Sequence, residues 1–190
     1  MIRSFIAIEL KDKETIKNIE DFSARLKLNQ SKLKIVDPEN LHITVKFLGN
    51  ISEALAPKIY KLIQENINKK LFQGKTYNYV LRGAGQFNKF SVIWIKLIGD
   101  LSFLQKIKDG TEKILKERLK IELDKRAKFK PHLTIGRLRK NKIDYKTFNT
   151  FKNLINESKN LNFGEFHINQ IKLKKSVLTP KGPIYSDLVY

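Results

Sequence analysis

The sequence predicts an α+β fold, bilobal, in which duplicated βαβαβ units carry antiparallel sheets that line a central groove. Two observations predict it. The stretch His42-Ile-Thr-Val45 returns ninety residues later as His132-Leu-Thr-Ile135. Around both copies the elements follow one order (strand, helix, motif strand, helix, strand) at matching intervals. Phe5 to His42 spans 37 residues and Trp94 to His132 spans 38; His42 to Tyr79 spans 37 and His132 to Ile171 spans 39. A repeat of that length, present twice, suggests one unit duplicated about a pseudo-twofold axis, which sets the two histidines across a groove. No stretch reads as a linker, so residues 1–190 form one bilobal domain with pseudo-repeats of about 1–86 and 87–190.

Each element has its own signal. Residues 3–10 are a short apolar run of β character, and Asp12 caps a helix whose Ile16, Ile19, Phe22 and Leu26 recur at helical spacing. Asp37-Pro-Glu-Asn40 is turn chemistry, and residues 41–48 form the first motif strand, closed by Gly49-Asn50. Ser52 can cap the next helix, with Pro57 in its first turn and Leu55, Ile59, Leu62, Ile63 and Ile67 on one face. Residues 77–82 read as a third strand, followed by a loop holding Gly83, Gly85 and Phe87. The series restarts with a strand at 91–98 and a helix from Gly99-Asp100, in which Gly110 is a candidate break. The second motif strand covers 131–138, a helix carries Phe148, Phe151, Leu154 and Ile155, and 167–176 read as one last long strand. The tail has a turn at Thr179-Pro-Lys-Gly-Pro183 and an apolar stretch at 184–190.

Composition narrows the chemistry. With 41% hydrophobic residues a core forms without staples, and the absence of cysteine excludes disulfides, zinc-thiolate sites and thiol nucleophiles while suiting a reducing cytoplasm. No apolar run approaches the roughly 20 residues of a membrane span, and residues 1–5 lead into a strand instead of a signal peptide. The chain reads as soluble and as a monomer. A net charge of +19 calls for a polyanionic partner. Residues 106–142 hold 14 basic and 5 acidic side chains; most of these lysines read as an ordinary solvated face, and it is the position of the surplus beside the second motif, more than its total, that favours nucleic acid.

In a β-strand residues i and i+2 share a face, so His42 projects with Thr44, and His132 with Thr134, while Ile43, Val45, Leu133 and Ile135 pack behind. An imidazole, with a pKa near 6.5, serves as base or acid at neutrality, and two of them suit attack of an oxygen on a phosphodiester. Thr44 and Thr134 would donate to the non-bridging phosphoryl oxygens. A lone His-x-Thr is a weak signal; a pair at equivalent places of a repeat is a strong one. His167 lacks the threonine and reads as a structural or surface residue. Two strand histidines without a third ligand make a poor zinc site, and Gly83-Ala-Gly85 lacks the Lys-Ser/Thr of a phosphate loop, so neither metal nor ATP nor any other cofactor is indicated. Arg137 is a candidate phosphate clamp at odd parity to His132, unless Gly136 allows a bulge that turns it back. Lys46, four residues after His42, has the right parity. Either could instead be an ordinary exposed base. Phe87 and Phe129 are candidates for stacking on a nucleobase, with core or loop packing as the alternative for each.

These stretches resemble the 2H phosphoesterases, in the branch called RNA 2',3'-cyclic phosphodiesterase or 2'-5' RNA ligase. The resemblance runs through Arg3-Ser-Phe-Ile-Ala-Ile8, Pro38-Glu-Asn-Leu-His-Ile-Thr-Val-Lys-Phe-Leu-Gly49, Gly83-Ala-Gly-Gln-Phe87 ahead of Val92-Ile-Trp94, Phe129-Lys-Pro-His-Leu-Thr-Ile-Gly-Arg137, and Leu173-Lys-Lys-Ser176 with Gly182-Pro-Ile-Tyr185. It implies two βαβαβ halves around a groove, and metal- and ATP-independent opening of a terminal RNA 2',3'-cyclic phosphate to a 2'-phosphate. It also implies reversible 2'-5' joining of tRNA halves. His42 and Thr44 match the family's first motif, His132 and Thr134 its second, and Arg137 the basic residue after it. The resemblance makes His132 the base that activates water and His42 the acid that protonates the leaving 3' oxygen; the residues alone do not order the two. Rival readings are a basic module that binds RNA ends without turnover, and a phosphodiesterase acting on a small cyclic nucleotide. After the first motif, Phe47 stands where Arg137 stands after the second.

Overall fold

A computed structural model describes residues 1–125, 129–180 and 182–190. Arg126 and Lys128 of the basic segment and Lys181 of the tail turn lie outside the described residues. Strand β1 (Ile2–Glu9) is followed by α1 (Lys13–Asn29), which starts where the Asp12 carboxylate accepts the Thr15 amide at 2.8 Å and lays Ile19, Phe22 and Leu26 into the core. A two-residue strand, β2 (Lys34–Ile35), and a 3-10 turn at Pro38–Asn40 lead into β3 (His42–Ile51), which runs through Gly49-Asn50 instead of closing there. Helix α2 (Ala56–Ile63) has Pro57 in its first turn, has no capping bond from Ser52, and widens into π-type turns at Gln64–Phe72.

Strand β4 (Tyr77–Phe87) corrects the expectation of a loop at Gly83, Gly85 and Phe87. The strand continues through them, absorbing a register shift between Leu81 and Ala84 in its pairing with β5 (Val92–Ile98). Helix α3 (Leu101–Leu119) passes unbroken through Gly110, and the Asp100 carboxylate caps it by accepting the Ser102 and Phe103 amides. Then come β6 (His132–Arg137) and α4 (Phe148–Glu157). The single long strand expected at 167–176 is two, β7 (Asn162–Ile168) and β8 (Lys172–Leu178), each paired in a different sheet. Strand β9 (Pro183–Asp187) ends the series.

The strands form two antiparallel sheets, ordered β3-β1-β8-β9 and β2-β6-β5-β4-β7. Each sheet borrows from the other half of the chain: β4 pairs with β5, and β8 pairs with β1. The helices cross in the same way. Helix α1 leaves β1 yet packs on β6, β7 and α4, while α3 leaves β5 yet packs against β3 and α2. This exchange ties the two lobes together and brings the motif strands β3 and β6 side by side where the sheets meet. Among the described residues no helix is long and apolar enough to cross a membrane.

Candidate active site

Both histidines are held by the same local device. His42 Nδ1 lies 2.6 Å from the Asn40 carbonyl and His132 Nδ1 lies 2.8 Å from the Lys130 carbonyl, in each case two residues back along the chain. A carbonyl only accepts, so Nδ1 carries the hydrogen, and Nε2 holds the lone pair of each neutral ring. Thr44 Oγ1 sits 3.0 Å from His42 Nε2. The Asn40 side-chain Nδ2 donates to the Pro183 carbonyl at 3.1 Å, tying the turn before His42 to the start of β9.

Aromatic rings wall both imidazoles. The His42 ring lies 5.0 Å from Phe5 and 5.3 Å, edge to face, from Tyr185; the His132 ring lies 5.0 Å from Phe87 and 6.4 Å from Trp94. Burial in this wall pushes the His42 pKa below its ordinary value, and the Lys174 and Arg137 charges push the same way. The Asn40 carbonyl and Glu9 oppose them without prevailing. The Tyr185 phenol is pushed up by burial, against the pull of Arg137 and Arg3. Arg137, on the other sheet, is therefore within electrostatic reach of both His42 and Tyr185.

Matching bulges determine which side chains reach this wall. The β1–β3 pairing steps from Ala7–Thr44 to Ile6–Lys46, leaving Val45 as the extra residue. The β5–β6 pairing steps from Trp94–Thr134 to Ile93–Gly136, leaving Ile135 extra at the equivalent place. One extra residue inverts strand parity. After the bulge Gly136 is buried and Arg137 emerges on the face of His132 and Thr134. The same inversion corrects the parity expected of Lys46. It is turned away from the histidines and only 2% exposed, with Nζ bonded to Glu112, Asp124 and the Glu122 carbonyl. Phe47 takes the outward place that Arg137 takes in β6, 69% exposed.

Of the expected site residues, then, the structure brings together His42, Thr44, His132, Thr134, Arg137 and Phe87. Phe129 is elsewhere: its ring lies 5.8 Å from the Lys108 ammonium, and its amide donates to the Gln105 side chain, both on α3. His167 is on the surface of β7 with Asn78 and Glu165. Sequence reasoning passed over Tyr185, Phe5 and Trp94 as site residues. All three lie in stretches that carry the family resemblance, but nothing there marks the rings as facing the histidines: Phe5 and Trp94 stand on the strands paired with the motif strands, and Tyr185 on β9 at the far edge of the first sheet. Two surface depressions, one lined by Arg25, Asn29 and Thr150 and one by Lys17, Asp21 and Asp37, include no motif residue.

Two antiparallel sheets, each presenting a His-x-Thr strand where they meet, define the class of the 2H phosphoesterases. A family model described as AKAP7 2'5' RNA ligase-like domain matches residues 4–186, and the chain belongs to that family. A protein of Methanocaldococcus jannaschii named RNA 2',3'-cyclic phosphodiesterase is 36% identical, the match covering 97% of this chain and 96% of that one. One of the same name from Methanothermobacter thermautotrophicus is 30% identical, covering 98% and 96%. The crystal structure of TT0787 of Thermus thermophilus superposes with a TM-score of 0.74 at 25% identity, covering 99% of this chain and 96% of that one.

Proposed function

We propose that this protein is an RNA 2',3'-cyclic phosphodiesterase that opens a terminal cyclic phosphate to a 2'-phosphate by two-histidine acid and base catalysis. One observation carries the reading: two imidazoles on adjoining strands, each with Nδ1 hydrogen-bonded to the carbonyl two residues back and with a threonine two residues on. The named activity of the archaeal relatives supports it.

In the proposed step His132 Nε2 takes a proton from water, and the water oxygen attacks phosphorus. The P–O3' bond breaks, and His42 Nε2–H delivers a proton to O3'. Thr44 and Thr134 donate to the non-bridging oxygens, and Arg137 neutralises the charge that gathers there. The acid role asks His42 to be protonated although burial disfavours that form. The bound phosphate supplies the compensating negative charge, so the acid is armed by its substrate. A 5'-hydroxyl in place of water, with the same two proton transfers, makes a 2'-5' linkage, and reversal breaks it. Joined and separated tRNA halves are the proposed substrates of that reaction, in a reducing cytoplasm, with the protein acting as a monomer. The basic surface steers the RNA. A 2',3'-cyclic phosphate on a 3'-thio ribose tests the acid assignment, because a thiolate leaves without protonation. It should restore turnover to His42→Ala and leave His132→Ala inactive; the reverse pattern exchanges the roles.

A further inference from the structure

We propose that Lys108 and Lys46 are positioning residues of this active site, which hold the first His-x-Thr strand in its bulged shape; the proposal rests on the catalytic reading above. A bulge takes one residue out of the sheet ladder and leaves its backbone groups to be satisfied elsewhere. The two motif strands solve this differently. Strand β6 is flanked by β2, and the Val36 amide beyond β2 donates to the Ile135 carbonyl at 2.9 Å. Strand β3 is the edge of its sheet. There the bulge carbonyl, that of Val45, accepts from Lys108 Nζ at 3.3 Å, a side chain reaching up from α3.

A small charge cluster keeps that ammonium in place. Lys108 and Lys46 are 4% and 2% exposed, and both donate to the Glu112 carboxylate, at 2.9 and 3.1 Å. Both also donate to Asp124, whose amide in turn donates to Glu112 at 3.0 Å. Two cations against two carboxylates leave the cluster neutral, the condition under which burying it is tolerable. Apolar side chains would fill the same space with equal or better stability. They could not hydrogen-bond the Val45 carbonyl, and that carbonyl follows directly on Thr44. The cluster also touches the approach to the second motif: Asp124 and Glu122 belong to the segment leading there, and the Phe129 ring, three residues before His132, rests by Lys108. It thus occupies, for β3, the place that β2 fills for β6.

A double-mutant cycle tests this. Lys108→Met should lower kcat on a cyclic-phosphate-ended RNA at least tenfold while the protein still melts cooperatively. In a Thr44→Ala background the same change should cost less than threefold more; in a Thr134→Ala background it should cost the full tenfold. Equal losses in both backgrounds overturn the proposal. Amide hydrogen exchange gives a reading independent of turnover. Faster exchange at residues 44–47 with none at 134–137 is expected, and uniform acceleration overturns it. A wild-type protein without turnover would sink the phosphodiesterase reading, while the exchange pattern still decides the positioning role. Should Lys108→Met not fold, Glu112→Gln, which retains both ammoniums, carries the same comparisons.

Discussion

His42 combines two demands that conflict in the free protein. Phe5 and Tyr185 exclude water from its ring, and burial disfavours the imidazolium that a general acid must be. Two predictions belong to this residue. By NMR titration its midpoint should lie below the ordinary value of about 6.5. Tyr185→Ala, which lets water in, and Arg137→Gln, which removes an opposing cation, should each raise it; an unmoved midpoint in Arg137→Gln would place that guanidinium outside the site. The second concerns rate. An acid must be protonated, so activity falls as pH rises through its pKa. For kcat/KM that limb reports the free protein and should lie at lower pH than the limb of kcat, which reports the complex in which phosphate has restored the charge. At this scale the two histidines and two threonines were legible because residue type and repetition suffice to find them. The rings that wall them were not, because Tyr185 stands on β9, at the opposite edge of the sheet from β3, and only the folded shape of that sheet brings it to His42.

The bulges at Val45 and Ile135 decide more about the site than any other feature of the elements. A strand with one extra residue has the same composition as one without: regular alternation sets Lys46 toward the site and Arg137 away, and Gly136 is the one sequence signal for the bulge that turns Arg137 back. Alternation failed in both strands, and the two cations exchanged places. The helices were legible because period 3.6 extends over many residues, as in α1. Strand β2 was not, since two residues carry no pattern. The glycines of β4 were misread for a physical reason as well. The Trp94 ring closes on Gly85, where a Cβ would come within 2.4 Å of it. Glycine there marks a close approach instead of a loop. Gly85→Ala should therefore push Trp94 toward Phe87 and His132. The expected result is a loss of about 1–3 kcal/mol by denaturant titration, as for overpacking generally, together with a lower kcat/KM. Retention of full activity would show that the Trp94 and Phe87 wall does not orient His132.

For the whole molecule, charge has two separate consequences. The surplus of +19 should make RNA binding fall steeply with salt, and Arg137→Gln should reduce the slope of log K against log salt by about 1 if that residue meets a phosphate. The paired carboxylates govern acid stability. Burial raises the pKa values of Glu9, Asp187, Glu112 and Asp124, but hydrogen bonds from Lys172, Lys174, Lys108 and Lys46 outweigh it and leave all four lowered. A carboxylate lowered on folding contributes stability above its unfolded pKa of about 4 and loses it as pH falls further. Thermal melts should therefore be flat in this respect above pH 5 and drop below pH 4, with Asp124→Asn flattening part of the drop. The exchange of β4 and β8 between the lobes means that both motifs should be lost in one cooperative transition. The measurement that bears most directly on the whole account is the fate of an RNA ending in a 2',3'-cyclic phosphate, with chelator present, followed to the identity of its product by phosphorus NMR. Wild type should yield a 2'-phosphate, and His42→Ala and His132→Ala should each lose at least a thousandfold in rate; an intact substrate, or turnover indifferent to either histidine, would contradict the account.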